Sequence, residues 1–109
     1  MGPPSFTIHK QADHYHIVFC DSTGYELPLS IHFANPQACL EGILLIMQVA
    51  ALATAYERRA QDNGLYSMQL RDRQKQLLAE ARDIPSVQQR EALIDRCIAE
   101  MPTASILEV

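Results

Sequence analysis

Residues 15–32 read YHIVFCDSTGYELPLSIH, two alternating runs hinged on one glycine. Tyr15, Ile17 and Phe19 alternate with His14, His16 and Val18; Tyr25, Leu27, Leu29 and Ile31 alternate with Glu26, Pro28, Ser30 and His32. Period two with one apolar set predicts strands that lay one face on a core. Residues opposed across an antiparallel pair point to the same face, and both apolar sets are odd-numbered, so paired positions must sum to an even number. Pairing Asp21 with Tyr25 leaves Ser22-Thr23-Gly24 as a three-residue loop, with Gly24 where a left-handed residue is needed. Pro28 cannot donate to a ladder, which predicts that the third strand is an edge there.

Upstream, Phe6 and Ile8 alternate with Thr7 and His9. The apolar parity changes between this run and the next, so a two-residue loop, Ala12-Asp13, fits with Gln11 opposite His14. Downstream, Asn35-Pro36 reads as a helix start, with Asn capping and Pro at the first helical position. The apolar run through Ile43, Leu44, Leu45, Ile46, Met47, Val49 and Leu52 predicts a buried helix over residues 36–61, stopped by Asn63-Gly64. Ser67 can cap a helix over residues 68–82, and Ser86 with Gln89 gives a capping-box pattern for one over residues 87–101. Ile84-Pro85 separates these two, and Pro102 ends the last. The expectation is an α+β fold: a three-stranded antiparallel meander, a long buried helix and two further helices. In one domain over residues 1–109, a β-β-β-α module takes residues 5–62, a helical hairpin 65–101 and a short β-prone tail 102–109. No internal repeat is evident.

The bulk numbers narrow the function class. A chain of 109 residues is enough for one core, and 48% hydrophobic with 20% charged residues is the composition of a globular protein. A net charge of −4 gives no electrostatic reason to approach nucleic acid or an anionic membrane. The small basic groups Arg58-Arg59 and Arg71-x-Arg73-x-Lys75 are interspersed with acids, as on solvated faces. The apolar run near residues 43–56 is too short to span a membrane and contains Gln48. Cys20, Cys39 and Cys97 are an odd, widely spaced set, which reads as reduced thiols in a cytoplasmic protein. The N-terminal residues lack the basic-then-apolar pattern of a signal peptide.

Asp21, Gly24, Ser30, Phe33, Ala38, Cys39, Gly42 and Ile43 form a D-x-x-G turn, a late-strand Ser, an aromatic residue and an A-C-x-x-G-I helix opening. At this spacing residues 5–45 resemble the YegP-like family of bacterial domains of unknown function. The resemblance implies a β-β-β-α unit, commonly in tandem copies that associate through sheets and helices, with no activity or cofactor assigned. The chain departs from the pattern by showing a single copy and an added helical extension. A single copy with an over-apolar helix leaves two ways to cover it: a second chain takes the place of the missing repeat, or the added helices fold back and complete the core within one chain.

Candidate chemistry is sparse. His9, His14, His16 and His32 fall on the polar side of the predicted sheet, with His9 opposite His16 and His14 opposite His32. Converging imidazoles at His9, His16 and His32 could bind zinc if a further shell oriented them. Cys20 beside His16 lacks an oxyanion donor and matches no nucleophile motif. No phosphate loop, dinucleotide fingerprint, HExxH or GxSxG occurs. The reading is therefore a non-enzymatic protein-interaction module without a cofactor. It is expected to be a homodimer through Ile43, Leu44, Met47, Leu52 and Tyr56 that binds a protein partner, as small inhibitors and regulatory factors do, with neither nucleic acid nor membrane involved. The alternative is a small metal- or ligand-binding protein using the histidine face.

Overall fold

The computed structural model describes residues 2–108. Its first half follows the parity argument. Strands β1 (Ser5–Lys10), β2 (Tyr15–Cys20) and β3 (Glu26–Pro28) form an antiparallel meander in which His9 pairs with His16 and Cys20 with Glu26. Gln11 N–H donates to the His14 carbonyl at 2.8 Å and Asp21 N–H to that of Tyr25 at 3.0 Å, closing the two turns as the register requires. Gly24 has φ +91°, the left-handed conformation that this three-residue loop imposes on its last member.

Helix α1 (Pro36–Ala50) begins where Asn35 Oδ1 accepts the Ala38 N–H at 2.8 Å, with Pro36 in the first turn. It buries Cys39, Ile43, Ile46, Val49 and Ala50. At roughly 1.5–3 kcal/mol for each large apolar side chain taken from water, this face is what fixes the helix to the sheet. The helix stops well short of residue 61. Leu52 turns extended, and the buried Tyr56 hydroxyl donates to the freed Ala50 carbonyl at 2.7 Å. Satisfying that carbonyl inside the core closes the C-terminal end, which continued helix would otherwise have to do.

The remainder corrects the expected helical hairpin. Residues 56–84 form a second antiparallel sheet of β4 (Tyr56–Ala60), β5 (Tyr66–Arg71) and β6 (Leu77–Ile84), where helix had been expected through residue 61 and over residues 68–82. Helix α2 (Val87–Glu100) follows, with Ser86 Oγ accepting the Gln89 N–H at 3.1 Å. The chain thus repeats β-β-β-α: Tyr66, Asp72, Lys75, Leu78, Ser86 and Ile94 stand at one constant spacing from Tyr15, Asp21, Gly24, Leu27, Asn35 and Ile43. The turn after β5 copies the one after β2, with Lys75 at φ +68° in the place of Gly24.

The β3 end meets β6 through a Leu29–Ala79 bridge and a 2.8 Å bond from Ser30 N–H to the Leu78 carbonyl, so the two sheets join at their inner edges. The edge that Pro28 predicts is real but is taken up locally by the second module. The tail is also structured: β7 (Ser105–Glu108) pairs parallel with β1 and closes its outer edge. One core runs through both halves, from Phe6, Ile17 and Phe19 to Met68, Ile94 and Met101. Among the described residues no helix is long and apolar enough to cross a membrane.

Size complementarity between the modules shows how each helix is seated. A Cβ on Gly42 would lie 2.5 Å from the Phe33 ring. The corresponding pair in the second module is Leu93 with Ile84, both buried, so bulk is moved from strand side to helix side while the space is filled.

Candidate functional site

Each β-turn lies near the helix of the other module, giving two junctions of related design. At the first, Asp21 Oδ1 accepts from Thr23 N–H (2.9 Å), Thr23 Oγ (2.6 Å) and Tyr25 N–H (3.0 Å). Its Oδ2 accepts from Arg96 Nε of α2 at 2.7 Å, and the carboxylate is fully buried. Burial pushes the Asp21 carboxyl up, but the Thr23 and Arg96 bonds outweigh it and hold the group below the usual carboxylate range. One helical turn on, Glu100 accepts from Ser22 N–H at 2.8 Å and Ser22 Oγ at 2.6 Å. The first junction is closed by charge on both sides.

At the second junction the positions of Arg96 and Glu100 are held by Leu45 and Val49 of α1, and that of Ser22 by Arg73. Asp72 Oδ1 accepts from Gln74 and Gln76 N–H at 2.9 Å each, which rebuilds the turn but makes no tie to a helix. A cleft of ≈ 330 Å³ opens between Val49, Leu52 and Ala55 on one wall and Arg71, Arg73 and Lys75 on the other. It adjoins a second hollow of ≈ 460 Å³ lined by Leu45, Gln48, Leu52 and Gln74. Arg71 is engaged by Glu57 Oε2 at 3.2 Å and by the Lys75 carbonyl at 2.7 Å. Among the described residues the Arg73 and Lys75 side chains make no ion pair.

Of the interface residues expected from sequence, Ile43 and Tyr56 lie in the chain's own core and Met47 is half-buried against it. Leu44 and Leu52 are exposed, at 55% and 47%, and Leu40 and Leu45 join them at 37% and 50%. Residues four apart share a helix flank. Leu40 and Leu44, with Met47 below them, therefore line one flank of α1, while Leu45 and Val49 line the other beside the cleft. Leu45 and Val49 read only as part of a buried helix and Arg71, Arg73 and Lys75 only as a solvated face, while Leu40 went unread. Recognising Asp72 as the repeat of Asp21 is the signal that exposes them.

The histidines are gathered as parity predicts. His9 and His16 rings stack with centroids 4.9 Å apart, His14 and His32 at 4.5 Å, and His16 meets His32 edge-on at 6.4 Å. Stacked rings present faces, not nitrogens, to one another, and among the described residues no group of three His, Cys, Asp or Glu could hold a metal ion. His16 Nδ1 instead lies 2.9 Å from Gln11 Nε2, an amide donor, which suits the neutral imidazole. Burial and then the neighbouring His9, His32 and His14 charges hold His16 below the ordinary imidazole range. The two buried thiols are poorly placed for chemistry: burial pushes Cys97 up to about 12 and raises Cys39, so neither forms a thiolate readily.

No family model and no curated protein matches the chain. Two solved structures do. The protein of unknown function yegP from Escherichia coli is 17% identical, with a TM-score of 0.82 over 99% of this chain and 94% of that one. A UPF0339 protein from Shewanella oneidensis is 14% identical, with a TM-score of 0.83 over 98% and 92%. The likeness read from residues 5–45 is therefore a likeness of the whole described chain, second module included, and it is one of fold. The chain has the YegP-like fold in its complete two-module form.

Proposed function

We propose that the protein is a non-enzymatic interaction module that pairs with another copy of itself through one flank of α1. The observation that carries this reading is the flank of Leu40, Leu44 and Met47, spaced as i, i+4 and i+7 and open to solvent at Leu40 and Leu44. The corresponding positions on α2 are Glu91, Asp95 and Ile98. The second helix thus follows the rule for a solvated surface at two of the three positions, and the first breaks it. A missing repeat no longer motivates association, because the second module lies in the same chain. What motivates it is the apolar flank left over after both modules have packed.

Buried thiols held in the protonated state and stacked imidazoles fit a binding role better than a catalytic one. Size-exclusion chromatography with light scattering tests the pairing. The expected result is a dimer at micromolar concentration that Leu44→Glu converts to a folded monomer. A monomer mass for the unmodified chain up to about 1 mM, where even weak pairing of about −4 kcal/mol shows, would remove the reading.

A further inference from the structure

We propose that the cleft between the end of α1 and the β5–β6 turn receives an acidic, apolar-flanked segment of a protein partner. This extends the interaction-module reading but uses the opposite flank of the helix. The molecule itself displays the chemistry. At the first junction the Glu100 carboxylate caps the Ser22 N–H and hydroxyl, next to Asp21. At the second, Val49 stands where Glu100 does, and among the described residues the Arg73 N–H has no acceptor. An exposed turn N–H, the Arg73 guanidinium and the Lys75 ammonium together make a place for a carboxylate that the chain does not supply. A carboxylate there would gain charge-assisted bonds of the kind already formed at Ser22.

The other wall sets the rest of the ligand. Leu45, Val49 and Leu52 are apolar, with Leu45 and Leu52 about half exposed. A free inorganic anion would leave this wall wet, and a purely apolar segment would leave the cations unmatched. A glutamate or aspartate with a large apolar neighbour satisfies both. Glu57 and Asp72 do not compete for it: Glu57 is bound to Arg59 at 2.9 Å and Arg71 at 3.2 Å, and Asp72 is turned to its own backbone amides.

The test is an amide-resolved NMR titration of the full chain with two capped hexapeptides, one centred on Leu-Glu-Ile and one on Leu-Gln-Ile, and with octanoate. The expected result is a shift of the Arg73 amide, with changes at Leu45 and Val49, by the glutamate peptide. The glutamine peptide should bind about tenfold more weakly or worse, since it forfeits the charge-assisted bonds. Val49→Glu should shift the Arg73 amide without any peptide and abolish the peptide response, because it supplies the carboxylate from within. Should that variant unfold, Arg73→Ser serves instead, with about tenfold weaker binding expected for the lost charge-assisted contact. Leu44→Glu should leave the titration unchanged, so failure of the pairing reading does not carry this one with it. Equal response to both peptides, shifts confined to other residues, or no response at millimolar peptide would overturn the proposal. So would octanoate binding as tightly as the peptide, which marks a small-molecule site, or Arg73 shifts on concentrating the protein alone, which mark a second copy in the cleft.

Discussion

Asp21 and Asp72 begin the same turn in the two modules, and each accepts backbone N–H groups from the residues that follow. Their surroundings differ. Asp21 is shut in by Arg96, and Glu100 seals the next residue; Asp72 faces Leu45 and Val49 across an open cleft. The turn is kept by its local hydrogen bonds, while the residue that the opposing helix contributes decides whether a junction is structural or available. A duplicated module can hold its fold with one copy of a contact and release the other for recognition.

The comparison breaks most visibly at the aspartates. Asp21→Ala removes three local bonds and the charge-assisted bond from the part-exposed Arg96, and should cost about 3–5 kcal/mol. Asp72→Ala removes only exposed turn bonds and should cost about 1 kcal/mol. Urea unfolding of the two variants gives the contrast directly, and equal losses would show that the sealed junction contributes nothing special. The pH dependence has a defined sign. Because the Asp21 carboxyl is lowered in the folded state, its stabilisation is complete above the ordinary aspartate pKa, about 3.9, and is lost as pH falls through the folded value. Asp21→Asn should flatten the acid limb of the stability curve.

The second contrast is the exchange of bulk between Phe33 with Gly42 and Ile84 with Leu93. Gly42→Ala forces the Phe33 ring to move and should cost about 1–3 kcal/mol as an overpacked contact. Adding Phe33→Leu should recover part of that loss, a coupling that a double-mutant cycle in urea measures. Simple addition of the two effects would place the cost elsewhere, in the helix itself.

How much of this was legible follows from the same pairs. Gly24, the parity of the apolar sets, and the caps at Asn35 and Ser86 announced β1, β2, β3 and both helix starts, because each is a local rule acting on local residues. The second sheet was hidden because Glu57-Arg58-Arg59-Ala60 and Leu77-Leu78-Ala79-Glu80-Ala81 are strong helix formers, overruled by strand pairing. The glycine that marks the first turn is a lysine in the second, so the repeat carried no obvious punctuation. Tyr66, Met68 and Leu70 do alternate, and with Asp72 they are the surviving trace. The cleft was illegible for a further reason: it takes its walls from α1 and from the β5–β6 turn, and only the fold brings these together. Likewise β7 needs β1, nearly the whole chain away, to become a strand.

A smaller effect separates the outer faces of the two sheets. The first carries stacked histidines where the second has Arg59 and Ser67 in place of His9 and His16. A histidine lowered in the folded state is protonated first when unfolded. The stability that neutral His16 gives is therefore present above about pH 6.5, the ordinary imidazole value, and is lost as pH falls from there toward the folded value. Denaturation midpoints between neutral and mildly acidic pH should fall, and His16→Gln should reduce the fall. An NMR titration in which His16 protonates at or above the ordinary imidazole value would end this account.

The smallest expected effect bears on the turns themselves. Gly24 and Lys75 both hold positive φ, +91° and +68°, in the same place of the same loop. A side chain in the left-handed region costs roughly 1–2 kcal/mol, whereas glycine takes that conformation freely but brings extra freedom to the unfolded chain. Lys75→Gly should therefore stabilise by only about 0.5–1 kcal/mol once the unfolded-state cost is set against the strain relieved. Gly24→Ala should do the reverse by about 1 kcal/mol, even though no atom lies within 4 Å of its added methyl, because the penalty is in the backbone and not in packing. Urea midpoints at unchanged slope read both. If Lys75→Gly destabilises instead, the lysine side chain holds the turn, and the second junction is less open than its cleft suggests.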